Sequence, residues 1–417
     1  MADRIGIVGA GITGLHLALR LQQLGIDATL HTTRQPDDIR DGPPLNFVTR
    51  FASTRERERV LGVTRWESSE YDNNPWMHMR VESEPGVSFR ARLPSPASSV
   101  DFRLYLASLL EEFQGRGGHV VADNAADAAA LAVCAVQHEL VIVSAGRGAL
   151  GEIFPRDPRR SPYTVAPRSL LAGLFVGVRP PEPAGMTMNM VPGAGEIHAP
   201  TYYSFGGSRT VVMIEAVTGG PFEAVVRDDY SDAPDLLAKQ VLHLVTTYAP
   251  SLRDRIDERM FALARPIDKL QGALVPTVRH GVAEVADGVF ALAVGDAWIV
   301  NDPLTAQGAN LGSQQAFQIG DALSAHDGAF DGEFCRALSE ELWRSAQPVV
   351  DWTNMFLGQP PPQVPTLLTG AAADQRVADA FVANLDRPPD MWHSISRPEH
   401  TDAFIKHAQA SPMRSGA

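Results

Sequence analysis

The hydrophobic pattern changes period near the start of the chain. Ile5 to Val8 is a continuous β-prone run, GAGITG supplies Gly9, Gly11 and Gly14, and LHLALRLQQLG carries apolar residues at helical spacing to a stop at Gly25. The predicted order is strand, glycine turn, helix, with a second strand over Asp27 to Thr32. A related unit lies downstream: Val289 to Val294 reads as a buried strand closed by Gly295 and Asp296, and a helix begins near Ala309, after Pro303 and Gly308. In the middle region, poor in helix signals, TYYSF (Thr201 to Phe205) and TVVMIEA (Thr210 to Ala216) read as strands around a tight glycine turn. That region suits an antiparallel sheet. Beyond Asp351, helical stretches alternate with Pro-rich breaks, and residues 411–417 are expected to be a disordered tail.

The N-terminal glycines have separate tasks in a dinucleotide-binding turn. Gly9 lets the chain turn tightly, Gly11 lets backbone N–H groups approach a pyrophosphate, and Gly14 lets the helix pack closely on the strand. Thr13 belongs to the helix start, whose free N–H groups and positive dipole end favour phosphate. The acid that usually ends the second strand and holds the ribose is missing, because HTTRQPDD offers Thr32, Thr33 and Arg34 before any carboxylate. Binding there rests on two hydroxyls and a cation, unless Asp37 or Asp38 reaches back. A second glycine match, GRGALG at 146–151, runs into EIFPRDPRR, where prolines leave no helix to aim at a phosphate. It reads as a strand-to-loop crossover.

Composition narrows the class. The 417 residues are 44% hydrophobic and 20% charged, which fits a folded protein of two or three units at about 150 residues each. A formal charge of −13 with no basic run argues against a nucleic-acid partner. Cys134 and Cys335 lie far apart with no CxxC, so neither a disulfide framework nor a metal site is expected. The histidines show no HExxH and are read as surface or satisfied core. Glycines interrupt the apolar segment Arg4 to Leu21, and other apolar runs fall short of the ~20 residues of a membrane span, so a cytoplasmic protein without a membrane partner is expected.

RIGIVGAG, the P-x-LN run ending at Asn46, SSVDFRLY at Ser98 to Tyr105, VSAGRGALGEIF, LQGALVPTVRHG, GDAWIVNDPLTAQGANLGS and DWTN at Asp351 to Asn354 occur in order along the whole chain. In these stretches the sequence resembles the FAD-dependent monooxygenases of the para-hydroxybenzoate hydroxylase fold, and more narrowly the oxygenase (epoxidase) components of styrene and indole monooxygenases. The resemblance implies an α/β fold: a Rossmann-like FAD-binding domain (residues 1–45, 98–165 and 270–345), an inserted antiparallel β-sheet substrate domain (46–97 and 166–269), and C-terminal helices (346–410). It places Gly9, Gly11, Gly14, Arg103, Gly295, Asp296, Gln307, Gly308, Ala309 and Asn310 at the flavin. It also implies reduced FAD delivered by an NADH-dependent flavin reductase. One departure concerns the loop that commonly reads DPxLGQGAN in the family, which here has Thr305 and Ala306 before Gln307.

With no GxSxG serine and no cysteine beside the glycine motifs, the cofactor must carry the reaction. Reduced FAD and O2 then imply a flavin hydroperoxide that epoxidises or hydroxylates a small apolar aromatic or alkene, while residues such as Pro303 only position. Asn46 is read either as a hydrogen-bonding group near the reacting centre or as an ordinary loop asparagine. Leu45, Phe47, Leu304 and Thr305 flank the expected substrate cavity; Tyr203, Phe205 and Met213 line it or pack as core. A single-component NAD(P)H-dependent hydroxylase, a non-catalytic flavin-binding protein, and a homodimer all stay open.

Overall fold

The computed structural model describes residues 4–123, 127–146, 150 and 153–412. Most of the second glycine match, including Gly148 and Gly151, and the tail from 413 lie outside the described residues. Ile5–Val8 is fully buried at the centre of a six-stranded sheet, parallel to Ala28–His31 on one side and Leu140–Val143 on the other. His119–Val121 extends it at one edge; Val289–Ala293 and the antiparallel Val282–Ala286 extend it at the other. Helix Ile12–Leu24 buries its apolar side on this sheet and ends where Gly25, at φ 71°, donates to the Leu21 and Gln22 carbonyls. Such a left-handed residue is the ordinary stop that glycine permits.

A nine-stranded sheet holds the middle region, including Arg168–Val176, Gly195–Ala199 and Gly207–Val217. It is antiparallel except where Asn74–Val81 pairs in parallel with Gly185–Val191. Those two strands come from distant segments rather than from a hairpin, so no turn imposes the antiparallel sense. Helix Pro234–Tyr248 packs one face of the sheet. The other face meets helices of the C-terminal region, which begins with one continuous helix, Gly332–Leu357, and continues to Ala410. Among the described residues no helix is long and apolar enough to cross a membrane.

Candidate active site

The N-terminal loop has the shape its glycines predict. A Cβ on Gly9, which sits at φ 110°, would lie 2.9 Å from Ser144 and Ala145, and one on Gly14 would lie 2.0 Å from the Gly9 carbonyl oxygen. These two glycines are required by close packing. Gly11 differs, since a Cβ there would meet nothing within 4 Å. The same openness recurs at Gly308, the first residue of helix Gly308–Ser324. Two helix starts therefore present free N–H groups beside open space, as an anionic cofactor requires.

Other candidate residues hold this frame together. Thr13 is enclosed against Gly295 and Gly312, where added Cβ atoms would approach its Oγ1 to 2.8 and 2.1 Å. Gln307 donates to the carbonyls of Thr305 and Leu385, and the Asn310 side chain accepts from Phe51 N–H and Thr54 Oγ1 while donating to the Thr49 carbonyl. What remains for a ligand is the backbone of Gly308 and Ala309. Thr32 is buried and caps Arg34 N–H, whereas Thr33 and Arg34 are exposed. Asp38 accepts from Gln35 N–H and Asp37 pairs with Arg40, so both acids are held in their own helix. Asp296 is exposed, with its backbone against Gly146. Arg103 is fully buried, pairing with Asp101 at 2.6 Å and Asp268 at 2.8 Å over the Phe205 ring.

An apolar cavity of about 100 Å³ lies between the nine-stranded sheet and the C-terminal helices. Its sheet wall is rich in methionine: the parallel register sets Met77 beside Met186 and Met79 beside Met188, and Met190 and Met213 complete the group. Phe47, Trp352 and Phe381 add aromatic surface, and Pro303, Leu304 and Thr305 form the wall towards Gly308. Tyr203 and Phe205 lie elsewhere, Tyr203 edge-on to Tyr71 and Phe205 under Arg103 and Arg265. Leu45 packs on the core of the six-stranded sheet, and Asn46 is exposed. The methionine wall was visible as alternation in GMTMNMV and NPWMHMRV, but only the register made it continuous.

A buried polar cluster borders the cavity. His198 lines it, with Nε2 3.8 Å from Glu215 Oε1, and Arg168 bridges to Glu196. Burial, then Arg168, pushes the His198 pKa down to about 3, so its ring is neutral. Glu215 is fully buried against Asp302, and burial followed by the Asp302 charge raises its pKa well above the usual range. Burial and the facing Asp302 carboxylate both favour the protonated form of Glu215, which can then donate to Asp302. Asp302 also accepts from Leu304 N–H, which fixes the loop at Pro303.

The chain is 33% identical to styrene monooxygenase StyA from Pseudomonas fluorescens over 403 residues, 96% of each chain, and equally close to StyA from a second Pseudomonas. It belongs to the styrene monooxygenase family. Residues 146–255 match the family model described as "Styrene monooxygenase A putative substrate binding domain". Among solved structures, flavin-dependent brominase Bmp2 superposes with a TM-score of 0.70 at 11% identity, covering 98% of this chain and 100% of that one, which concerns the fold. This styrene monooxygenase-family protein is thus a flavin monooxygenase on the flavin-dependent hydroxylase fold. The open Gly11 and Gly308 positions fit the flavin it uses.

Proposed function

We propose that this enzyme is the oxygenase of a two-component system, taking reduced FAD from a separate NADH-dependent flavin reductase and using O2 to epoxidise or hydroxylate a small apolar aromatic or alkene of the styrene or indole type. One observation carries the reading: the segment from Pro303 to Ala306 walls the methionine cavity and leads through Gln307 into the open helix start at Gly308. Bound and reduced, the flavin supplies the electrons that activate O2. The protein binds, orients and excludes water. Gly9, Gly11 and the helix start at Ile12 hold the pyrophosphate, Thr32, Thr33 and Arg34 the adenosine, and the N–H groups of Gly308 and Ala309 favour an anionic flavin.

On this reading residues 1–45, 98–165 and 270–345 form the FAD-binding unit and 46–97 with 166–269 the substrate-binding unit, while 346–410 close the cavity. Arg103 acts from behind the site, through its ion pairs with Asp101 and Asp268. Methionine side chains adapt to varied apolar shapes, which suits a panel of small aromatics. Pro303, in the cavity wall, positions the substrate, whereas the exposed Asn46 does not line the cavity, and the apolar lining disfavours water at the reacting centre. Reliance on an NADH-dependent reductase suits a cytoplasmic enzyme.

Purified enzyme supplied with NADH, FAD, O2 and a flavin reductase should oxygenate styrene, indole or an aryl sulfide, and should not do so without the reductase. Product at a comparable rate from NADH alone would make it a single-component hydroxylase. No product from any of these substrates, with reduced FAD bound, would reject the apolar substrate class.

A further inference from the structure

The six-stranded sheet carries a side-chain cluster that flavin chemistry leaves unused. His31 ends the strand Ala28–His31 and is buried; Cys134 sits on helix Ala128–Ala135, and His138 lies in the loop that follows this helix. His31 and Cys134 are 103 positions apart in sequence, so no Cys/His spacing reveals them. Their ligand atoms converge: His31 Nε2 lies 3.0 Å from His138 Nε2 and 3.5 Å from Cys134 Sγ, and all three atoms fall within 4.8 Å of one another. Tetrahedral zinc, with its usual bond lengths, separates neighbouring nitrogens by about 3.3 Å and nitrogen from sulfur by about 3.6 Å.

Two further features support a ligand set. His31 Nδ1 lies 3.1 Å from both Asp123 oxygens, and a proton held there leaves the Nε2 lone pair facing Cys134 and His138. A carboxylate behind a histidine is the common outer partner of a zinc ligand. Gly6, inside the central strand, is the second feature: a Cβ there would lie 2.5 Å from His138 Cδ2, so the missing side chain makes room for the ring.

We propose that His31, Cys134 and His138 bind a zinc ion, with Asp123 orienting His31 and a water in the fourth position. Binding breaks the Cys134 S–H bond, forms a Zn–S bond and releases the proton to solvent. The ion ties the end of the second strand, directly before Thr32 to Arg34, to the segment entering Leu140–Val143.

Full-length protein, treated with chelator and titrated with Co²⁺ and then Zn²⁺, tests this. One Co²⁺ per chain should bind with a thiolate-to-cobalt charge-transfer band and four-coordinate d–d bands, and Zn²⁺ should displace it. Cys134→Ser should lose the charge-transfer band and Cys335→Ser should keep it, while Asp123→Asn should weaken binding about 10–100-fold. No thiolate band in the wild type, or its persistence in Cys134→Ser, overturns the site, and an unchanged affinity in Asp123→Asn overturns the role of Asp123. Should Cys134→Ser not fold, the wild-type titration and the exposed Asp123→Asn position decide the matter.

Discussion

Asn310 Nδ2 donates to the Ala306 carbonyl at 2.8 Å, fastening to the start of the 308–324 helix the one non-glycine residue found at positive φ among the described residues. Ala306 sits at φ 55°, where the related loop pattern has glycine. Left-handed backbone costs an alanine about 1–2 kcal/mol, and glycine returns part of that as lost unfolded-chain restriction. Ala306→Gly should therefore stabilise the enzyme by about 0.5–1 kcal/mol in urea unfolding. Ala306→Val should destabilise it, and a neutral result for both would refute strain at this loop.

A buried relay joins the 308–324 helix to its neighbours. Arg50 pairs with Glu58, Tyr105 donates to Glu58 at 2.8 Å, and His16 bridges Tyr105 at 2.8 Å to Ser313 at 3.0 Å. Glu58→Gln leaves the Arg50 charge uncompensated in a fully buried position. A loss of about 3–5 kcal/mol is expected in chemical denaturation. A loss below about 1 kcal/mol would mean that water or another group reaches Arg50.

What the sequence made legible depended on distance along the chain. The role of Gly14 could be read because the Gly9 carbonyl it packs against lies within one strand-turn-helix unit, whereas Gly9 itself abuts Ser144 and Ala145 from a distant segment. The methionine wall was half legible: alternation marked each strand, but Met77 meets Met186 only through the parallel register. Glu58 with Arg50 and Tyr105, Glu215 with Asp302, and His31 with His138 left no local signal, since their partners arrive through tertiary packing. Asn310 reads as a helix-start motif residue, yet its side chain is spent on Thr49, Phe51 and Thr54.

Acid should weaken the fold through two histidines. Burial first, then nearby arginines, push His16 and His198 down to about 3, whereas both titrate near 6.5 in the unfolded chain. Between those values the unfolded chain binds more protons, so stability is present above about pH 6.5 and falls as pH drops towards 3. The slope approaches ~1.4 kcal/mol per pH unit for each histidine. Glu215, raised in the fold, takes up its proton earlier than the unfolded chain does and offsets part of the loss. Urea midpoints measured across this window should fall with pH, and His16→Gln should flatten the dependence; an unchanged slope in that variant would sink the assignment.

Burial and the Asp302 charge favour a neutral Glu215, so an amide should replace it. Glu215→Gln keeps a donor towards Asp302 and should retain turnover within about threefold in the reductase-coupled assay. Glu215→Leu removes that donor and strands the buried Asp302 carboxylate, at a cost of roughly 1–3 kcal/mol in stability. Comparable destabilisation by Gln and Leu would show that the charge of Glu215, not its proton, matters.

The flavin should be gripped according to its redox state. No acid follows the second strand, and Asp37 and Asp38 are engaged with Arg40 and Gln35, so the adenosine end contributes little affinity. The N–H groups at Gly308 favour an anion, and the reduced ring is the anionic form. One charge-assisted contact of about 1.5–3 kcal/mol shifts the affinity ratio roughly 10-fold or more. Reduced FAD should therefore bind at least about 10-fold tighter than oxidised FAD, drawing the reduced cofactor from the reductase and releasing the spent one. Titration of both states, anaerobically for the reduced one, decides it: equal dissociation constants would refute the preference. Gly308→Val, which fills space now open at the helix start, should weaken binding of the reduced form more than that of the oxidised form.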